Sequence, residues 1–240
     1  MDKIKCYENP LFENFTGDTI RPGGFELTRA AIHFCQFDQG ACLLDIGCGK
    51  GATVEYMEKQ YHYLAVGIDA SEKLIYEGLK RNPSLNLLVG NSEKLPLNET
   101  TMDGVIAECS FSLMQDKKAV LNEIKRVLKP NGKFIISDMY FRNNEAKQFS
   151  QDILIETCIL NAFVVKELKE FLIRNGFKVI LFEDYTHRLQ ELMAEIIMEY
   201  GSLNYFWEKI TDKSIDCDKM SCSMGDVKLG YFLCIAELVS

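Results

Sequence analysis

The sequence lacks any apolar run near the roughly 18 residues that a membrane-spanning helix needs. Its opening residues, MDKIKCYENP, lack the apolar core of a secretory signal peptide. It also lacks a cluster of lysine and arginine, and its formal net charge is -8, whereas a nucleic-acid-binding surface is normally basic. These absences predict a cytoplasmic protein that binds neither a membrane nor nucleic acid.

Sequence patterns of disulfide-bonded proteins are absent as well. The nine cysteines are an odd number without a paired CxxC framework, so we expect reduced thiols, as in a cytoplasmic protein. No internal repeat or low-complexity tract divides the chain. With 240 residues, 47% of them hydrophobic, the chain can bury one sizeable core, and we predict a single domain over residues 1–240.

Seven short apolar runs alternate with segments of helical period. The runs are ACLLDIG (41–47), YLAVGID (63–69), NLLVGN (86–91), DGVIAEC (103–109), KFIISDM (133–139), KVILFED (178–184) and YFLCIAEL (231–238). This alternation predicts an α/β fold with a mostly parallel sheet that is covered by helices on both faces. Residues 1–40, 142–162 and 185–228 fall outside the alternation. We predict an N-terminal helical lead, a helical insert and a second insertion there, the last two forming a cap, because such additions usually shape a ligand site.

The stretch LLDIGCGKGATVEYM (43–57) joins a predicted strand to a predicted helix through a glycine-rich turn. Gly47, Gly49 and Gly51 alternate in it, and the missing side chains would let a ligand approach the backbone closely. With Ala52, the same letters satisfy G-x-G-x-x-A, which is typical of dinucleotide sites. A tight connection without any ligand is a third interpretation, so the turn alone leaves the ligand open.

Polar side chains at the ends of the first three predicted strands narrow the choice of ligand. Asp69 ends the second strand, 24 residues after Asp45, where a carboxylate can accept both hydroxyls of a ribose. Asp45 precedes the first glycine by two residues, so it would attract an ammonium group and repel a pyrophosphate. Asn91 and Ser92 follow the third strand and could bond the edge of an adenine. These residues indicate a nucleoside joined to an amino acid.

Over residues 41–140, this ordered set of signals resembles the class I S-adenosylmethionine-dependent methyltransferases of type 11, which are related to ubiquinone and menaquinone C-methyltransferases. The resemblance implies a Rossmann-like seven-stranded sheet in which YFLCIAEL forms a last, antiparallel strand beside the fifth. It also implies S-adenosylmethionine as cofactor and a small-molecule methyl acceptor. Family members often have Asp at the position of Asn91, although an amide still forms hydrogen bonds. The cofactor-binding residues that the resemblance implies are Asp45, Gly47, Cys48, Gly49, Asp69, Ala70, Asn91, Ser92 and Glu108.

Methyl transfer from a sulfonium is an in-line displacement, so the protein must chiefly align the acceptor with the breaking bond. An oxygen or nitrogen acceptor would also gain from a general base. The candidates are Glu108, Asp138, Tyr140 and His187. Three of these candidates also have an interpretation without catalysis: Glu108 could line the cofactor cleft, Asp138 could brace a turn, and His187 could be a surface helix residue. The general base is therefore left open, and no metal is predicted.

Residues 137–177 resemble the corresponding part of arsenite methyltransferases, where a cysteine at the position of Cys158 is one of the thiols that hold arsenic. A soft trivalent metalloid needs two or three converging thiolates, and the C-terminal Cys217 and Cys222 cannot be matched to them. Cys158 could also be a small buried residue on a helix. Metalloid methylation is thus an alternative function, beside a NAD-dependent oxidoreductase and a cofactor-binding protein without catalysis.

Three accessory features complete the sequence-based predictions. The Pro22-Gly23-Gly24 turn precedes a helix and could present backbone N–H groups to the cofactor. The aromatic run 205–207, with Trp207, could wall a substrate pocket. A helical apolar stripe is expected to pack on the core or on a second subunit, which leaves a monomer and a homodimer open. The stripe comprises Leu189, Leu192, Met193, Ile196, Ile197 and Tyr200.

Overall fold

The computed structural model describes residues 4–9, 11, 19, 21–143, 155–159, 161–210 and 228–239. The strands in these ranges are β1 (Ile4–Lys5), β2 (Cys42–Ile46), β3 (Leu64–Asp69), β4 (Leu87–Val89), β5 (Met102–Glu108), β6 (Leu128–Phe141), β7 (Ile155–Glu156), β8 (Phe163–Val164), β9 (Phe177–Asp184) and β10 (Leu229–Leu238). The helices are α1 (Glu26–Cys35), α2 (Ala52–Tyr61), α3 (Glu72–Arg81), α4 (Lys117–Val127), α5 (Val165–Arg174), α6 (Thr186–Tyr200) and α7 (Leu203–Ile210).

The main sheet has the strand order β4-β3-β2-β5-β6-β10-β9, and the short β8 pairs with the end of β6. Strands β2 to β6 pair in parallel, whereas β10 lies antiparallel between β6 and β9. In the register of β10 with β6, Leu233 lies opposite Ser137 and Ile235 lies opposite Ile135. The predicted α/β sheet, with a reversed last strand beside the fifth, is confirmed, and β8 adds a short eighth strand.

Alternating side chains of the strands build an apolar core on each face of the sheet. In β5, the fully buried Val105 lies in one core and its neighbour Ile106 in the other. Phe134 and Ile135 of β6 alternate in the same way. Because neighbouring residues of a strand point to opposite faces, such continuous apolar runs require cover on both sides. Helices supply it, as Val120 of α4 does over one core.

Side-chain caps define where helices begin after the strands. The Asp116 carboxylate accepts hydrogen bonds from the backbone N–H groups of Lys118 and Ala119, at 3.0 and 2.9 Å, and so caps α4. The Ser71 hydroxyl accepts from the backbone N–H of Leu74 at 3.3 Å and caps α3. Each cap is worth about 1 kcal/mol. Both caps therefore help to set the path of the loops at the carboxyl edge of the sheet.

The predicted helical insert at 142–162 is wrong for the part that the structure describes. Strand β7 pairs in parallel with β1, with Ile155 opposite Ile4, and Cys158 lies in the turn that follows β7, not on a helix. A short apolar run such as ILIETCIL (153–160) fits strand and helix alike, and pairing with the N-terminal segment decides in favour of the strand. Residues 144–154 and 160 lie outside the described residues.

The other two accessory stretches are partly described. The N-terminal lead contains β1 and a 3-10 turn (Cys6–Glu8) before α1, so it is not wholly helical. Residues 185–210 form α6 and α7, and Leu189 joins the core, whereas residues 211–227, with Cys217 and Cys222, lie outside the described ranges. In the described part of the chain, no helix is long and apolar enough to cross a membrane.

Candidate active site

The carboxyl ends of β2 to β5 open into a cavity of about 670 Å³. Open parallel sheets bind their ligands at this edge. The lining of the cavity includes the whole predicted cofactor-binding set: Asp45, Gly47, Cys48, Gly49, Asp69, Ala70, Asn91, Ser92 and Glu108. The structure therefore brings these residues together, although the chain distributes them over four strand ends.

The glycine turn after β2 is a backbone cradle held from two sides. Gly47 has φ +75°, and a Cβ atom there would lie 2.4 Å from the Cβ atom of Ser110, so only glycine fits. The backbone N–H groups of Gly47 and Cys48 donate to the carbonyl of Ile68 at 2.7 and 3.2 Å. Gly49 has φ +54°, and no described atom lies within 4 Å of where its Cβ would be. Hydrogen bonds to β3 thus fix one side of the turn, and the space at Gly49 leaves its other side open to a ligand.

Asp69 ties the end of β3 to the glycine turn. One carboxylate oxygen accepts a hydrogen bond from the backbone N–H of Gly49 at 2.8 Å, and the other accepts from Ser71, also at 2.8 Å. A carboxylate oxygen can accept more than one hydrogen bond. The Asp69 carboxylate is therefore held in one orientation at the cavity and keeps the capacity to accept from the hydroxyls of a sugar.

Asn91 shapes the loop after β4 with its own side chain. Its amide oxygen accepts a hydrogen bond from the backbone N–H of Glu93 at 2.8 Å, and its backbone carbonyl accepts from Lys94 at 3.0 Å. This is the local turn geometry that Asn and Asp side chains favour. The side-chain oxygen of Asn91 is thus used within the turn, and its side-chain N–H groups are the donors that it can offer to an adenine.

A buried ion pair stands at the end of β5. Arg21 Nη2 lies 2.9 Å from Glu108 Oε2, and the two side chains are 5% and 3% exposed. The hydroxyls of Thr28 and Thr53 donate to Glu108 at 2.9 and 3.3 Å. Glu108 is thereby fixed at the cavity by three groups from three parts of the chain. Arg21, which also lines the cavity, was not among the predicted site residues.

Asp45 lies beside this pair and is buried. Burial raises the pKa of Asp45 to about 8, and the negative charges of Glu108 and Asp69 act in the same direction, whereas Arg21 acts in the opposite one. Burial disfavours a charge that water no longer solvates. The Asp45 carboxyl group is therefore largely protonated near neutral pH, and a ligand cation placed beside it would favour its ionised form.

Two cysteine thiols meet beside the cavity, and one of the two, Cys109, is among its described lining residues. The ligand atoms of Cys109, Cys158 and Asp138 all lie within 4.8 Å of one another, and all three residues are buried. The hydroxyl of Tyr231 lies 3.4 Å from Cys109 Sγ, and the hydroxyl of Tyr7 accepts the backbone N–H of Cys158 at 2.8 Å. The hydrogen bond with Cys158 and burial raise the pKa of the Cys109 thiol. Cys109 and Tyr7 line the cavity.

Asp138 braces the turn that follows β5. Its carboxylate accepts hydrogen bonds from the backbone N–H and the hydroxyl of Ser112, both at 2.9 Å, and from the backbone N–H of Met139 at 2.8 Å. Burial raises its pKa to about 6. The three hydrogen bonds give the Asp138 carboxylate a structural role. This is the turn-bracing role that the sequence analysis set beside catalysis.

Several predicted residues lie away from this cavity. The Tyr140 hydroxyl donates to Asp184 at 2.8 Å, and His187 is an exposed residue of α6 stacked on Tyr185. The described residues that line the cavity do not include Tyr140 or His187. They also do not include the 22–24 turn or the aromatic residues 205–207. In the 22–24 turn, the Gly24 carbonyl accepts from Arg21 Nε at 3.0 Å, so the turn supports the arginine.

Comparison with known proteins places the chain in a family. Residues 44–136 match a family model described as a methyltransferase domain. The O-methyltransferase rstn1 of Aspergillus nomiae is 30% identical over 179 residues, which are 70% of this chain and 77% of the relative. This chain belongs to the class I S-adenosylmethionine-dependent methyltransferases. An O-methyltransferase of Pyrenophora dematioidea is 27% identical, and the alignment spans 98% of this methyltransferase and 88% of the relative.

Other relatives of this methyltransferase are longer. A phosphoethanolamine N-methyltransferase of Triticum aestivum is 27% identical over 80% of the chain, which spans only 39% of that relative. Haemonchus contortus phosphoethanolamine N-methyltransferase 2, solved in complex with S-adenosyl-L-methionine, superposes with a TM-score of 0.75 at 19% identity over 96% of this chain and 56% of that one. The [4+2]-cyclase SpnF superposes with a TM-score of 0.72 at 20% identity, over 98% and 93%. These structural similarities show the fold alone.

The sequence-based prediction missed the residues of the methyltransferase site that come from distant parts of the chain. Arg21 stands next to the turn that had been singled out, yet nothing local signals its partner at the end of β5. Tyr7 and Tyr231 carry no motif. Cys109 ends a predicted strand, which places it at the edge of the sheet, but its closeness to Cys158 depends on the path of residues 155–159.

Proposed function

We propose that this chain transfers a methyl group from S-adenosylmethionine to an oxygen or nitrogen atom of a small-molecule acceptor. The family membership supports the reaction class. The observation that carries the proposal in the structure is the single cavity in which a glycine cradle, the tethered Asp69 carboxylate and the buried Asp45 and Glu108 stand together.

The residues of the cavity fit S-adenosylmethionine. The space above Gly49 is open to a ligand that lies on the backbone. Asp69 would hold the ribose hydroxyls, Asn91 and Ser92 would contact the adenine, and Asp45 would attract the ammonium group. When bound, the cofactor supplies a methyl group on a positively charged sulfur atom. The chain's own residues orient the two reactants and keep water away from them.

The charge of the cavity bears on the acceptor. Arg21 is the one positively charged residue of the described lining, and it is paired with Glu108. Five lining residues are acidic: Glu8, Asp45, Asp69, Glu93 and Glu108. A phosphorylated acceptor, such as the substrate named for the plant and nematode relatives, would meet the negative charges of the other four acids, since Asp45 is largely protonated, without a free cation from the described lining. We therefore propose a neutral or cationic acceptor.

Glu108 is a binding residue in this proposal rather than the general base. Its carboxylate already accepts from Arg21, Thr28 and Thr53, so removal of a proton from the acceptor would compete with three hydrogen bonds. The hydroxyl of Tyr7 and the thiol of Cys109 line the cavity, but the pKa of both groups is raised, that of Tyr7 by burial and that of Cys109 by its hydrogen bond with Cys158 and by burial. An acceptor that loses its proton to water after the transfer suits this lining best.

The test starts with binding and continues with turnover. Calorimetry of the purified chain should show binding of S-adenosylhomocysteine and no binding of NAD. Incubation with S-adenosylmethionine carrying a labelled methyl group and a metabolite extract should then label a neutral or cationic compound. Binding of NAD alone would support the oxidoreductase alternative. Binding of S-adenosylhomocysteine without any labelled product would support a protein that uses this fold for something other than methyl transfer.

A second candidate function is methylation of a trivalent metalloid, and the meeting of Cys109 with Cys158 favours it. Two thiols a few ångströms apart can both bond one soft atom. Each sulfur–metalloid bond replaces one metalloid–oxygen bond of a hydroxylated trivalent metalloid, and the displaced hydroxyl group leaves as water with the thiol proton. The lone pair of the metalloid would then form the bond to the methyl group while the sulfur–methyl bond of the donor breaks and its electron pair stays on sulfur, so no base is required.

Thiol substitution separates this candidate from the first. Cys109→Ser and Cys158→Ser should each abolish arsenite binding and leave binding of S-adenosylhomocysteine in place. Cys42→Ser is the matched control, because Cys42 begins β2, at the strand end opposite the glycine turn. This variant should keep the arsenite affinity of the wild type. Unchanged arsenite affinity in either of the first two variants would remove the metalloid function.

A further inference from the structure

Two thiols and one carboxyl group form a compact buried cluster beside the cavity. The Sγ atoms of Cys109 and Cys158 and one carboxylate oxygen of Asp138 all lie within 4.8 Å of one another, and all three residues are buried. A tetrahedral zinc ion, with Zn–S bonds of about 2.3 Å and Zn–O bonds of about 2.1 Å, holds its ligand atoms about 3.6 to 3.8 Å apart. The cluster is therefore compact enough for one such ion to bond all three groups.

The Asp138 carboxylate keeps room for a metal bond beside its structural contacts. It accepts three hydrogen bonds, two from Ser112 and one from Met139. The two oxygens of a carboxylate offer about four acceptor positions, so these contacts leave one position for a cation. Hydrogen bonds to a ligating carboxylate also fix its orientation. Asp138 is thus a pre-oriented oxygen ligand.

Each thiol of the cluster has a tyrosine hydroxyl as its neighbour. The Tyr231 hydroxyl lies 3.4 Å from Cys109 Sγ. The Tyr7 hydroxyl forms a hydrogen bond with the Cys158 side chain and accepts its backbone N–H at 2.8 Å. A sulfur atom that bonds a metal has lost its proton, so it accepts from such hydroxyls, which orient the ligand and stabilise its charge. The two tyrosines therefore form the outer hydrogen-bond layer that a metal site needs.

The charge of the cluster favours a divalent ion. Two thiolates and one carboxylate carry three negative charges, and charges stay buried only when they are paired or coordinate a metal. A divalent ion compensates two of them. The positive charge of Lys117 acts on Asp138, and its ammonium group is fixed by the carbonyls of Ser112 and Met114 at 2.9 and 3.0 Å. Thiolate ligands select zinc, whereas magnesium and calcium prefer oxygen.

We propose that Cys109, Asp138 and Cys158 bind a zinc ion, with Tyr7 and Tyr231 as hydrogen-bond donors to the two sulfur atoms. Cys109 lines the cavity, so the ion borders the cavity, and water or a ligand in the cavity completes its four-coordinate shell. The site does not rest on the proposed methyl transfer, and its use of the Asp138 carboxylate separates it from the metalloid candidate. No motif of fixed spacing joins the three residues in the sequence, so the tertiary structure alone brings them together.

The test uses the full chain, freed of metal by a chelator and kept reduced without oxygen, and the metal alone as the probe. We expect one zinc ion per chain in competition with a chromophoric chelator. Cobalt in place of zinc should give a sulfur-to-cobalt charge-transfer band in the near ultraviolet. X-ray absorption of the zinc-loaded chain should show two sulfur neighbours beside oxygen.

Substitution identifies the ligands. Cys109→Ser and Cys158→Ser should each weaken zinc by about a hundredfold or more and remove most of the cobalt band, because a thiolate ligand is lost. Asp138→Asn should weaken zinc by about tenfold or more. If Asp138→Asn does not fold, the oxygen neighbour in the X-ray absorption of the wild type tests the carboxylate instead.

Two variants outside the cluster are matched controls. Cys42→Ser removes a thiol at the start of β2, and Asp103→Asn removes a carboxylate that pairs with Lys129. Both should keep the zinc affinity of the wild type.

Three results would overturn the site: wild-type zinc affinity in either variant of the two cluster cysteines, wild-type zinc affinity in Asp138→Asn, or a cobalt complex without the sulfur band. Binding of S-adenosylhomocysteine by the wild-type chain is measured beside zinc binding. Its absence would overturn the proposed function and leave the zinc site standing, whereas absence of zinc binding would overturn the zinc site alone.

Discussion

The two sides of the cavity are built in different ways. The part that we assign to the methyl donor, called the donor side, consists of the glycine turn and the ends of β3, β4 and β5, and apart from Glu8 and Arg21 its residues lie between Asp45 and Glu108 in the chain. The part that we assign to the acceptor, called the acceptor side, joins remote segments: Tyr7 and Cys109 line the cavity, Tyr7 bonds Cys158 across 151 positions, and Cys109 contacts Tyr231 across 122. The donor side is thus a series of neighbouring strand–loop–helix units, whereas the acceptor side joins two main strands to the inserted segments that carry Tyr7 and Cys158.

This difference has a functional consequence. A site made of successive units of one sheet keeps its geometry as long as the sheet forms. A site that includes inserted segments changes when an insertion takes another path, so one fold can keep its donor and exchange its acceptor.

The largest effect is expected from a change in the glycine cradle. Gly47→Ala should lower the free energy of unfolding by about 3 kcal/mol, because it adds backbone strain at φ +75° and a clash with Ser110. Gly40→Ala is the control, since Gly40 has φ +77° and no described atom near its Cβ position; it should cost about 1 kcal/mol. Urea unfolding measures both. Equal losses would show that Ser110 does not press on the cradle.

The next effect tests the ribose contact on the donor side. Asp69→Ala should keep the fold and weaken S-adenosylhomocysteine by about 2 kcal/mol, roughly 30-fold, because a charged acceptor and the tether to Gly49 are lost. Asp103→Ala is the control, since Asp103 pairs with Lys129 at the opposite edge of the sheet. Calorimetric affinities within threefold of wild type for Asp69→Ala would contradict the ribose assignment.

A smaller effect is expected from pH. Asp45, with a pKa of about 8, faces Glu108, Arg21 and Asp69, and lies near the Cys48 thiol. If an ammonium group binds beside it, the pKa of Asp45 falls in the complex, so binding releases a proton. Affinity for S-adenosylhomocysteine should then rise with pH between 6 and 7.5, by up to about tenfold per pH unit.

Calorimetry in buffers of different ionisation enthalpy measures the released proton directly. Asp45→Asn should bind more weakly and release none in this pH range, because the amide does not titrate. A pH-independent affinity for the wild-type chain would place the ammonium group elsewhere.

The smallest effect concerns the independence of the two sides. Cys158→Ser should change the affinity for S-adenosylhomocysteine less than twofold, because Cys158 is not among the described residues that line the cavity. The same variant should lose arsenite binding if the metalloid function holds. A large loss of donor affinity would mean that the two sides are coupled, and the division drawn from their construction would fail.

The sheet and the donor side could be predicted because their signals are local. Seven apolar runs marked the main strands, and Asp45, the glycine turn and Asp69 stand at fixed places relative to strand ends. The insert was mispredicted because a run such as ILIETCIL fits either period, and its pairing with β1 lies far away in sequence. Tyr140 and His187 were candidates by position near strand ends, but the structure turns Tyr140 towards Asp184 and leaves His187 exposed.

The amino-acid sequence by itself determined the alternation of strands and helices, the glycine cradle and the acids at the strand ends, because each depends on residues a few positions apart. Only the tertiary structure decided that Arg21 meets Glu108, and that Cys109 meets Cys158 beside two tyrosines. Those contacts depend on how segments more than forty positions apart pack at one edge of the sheet, and no short-range pattern encodes that packing.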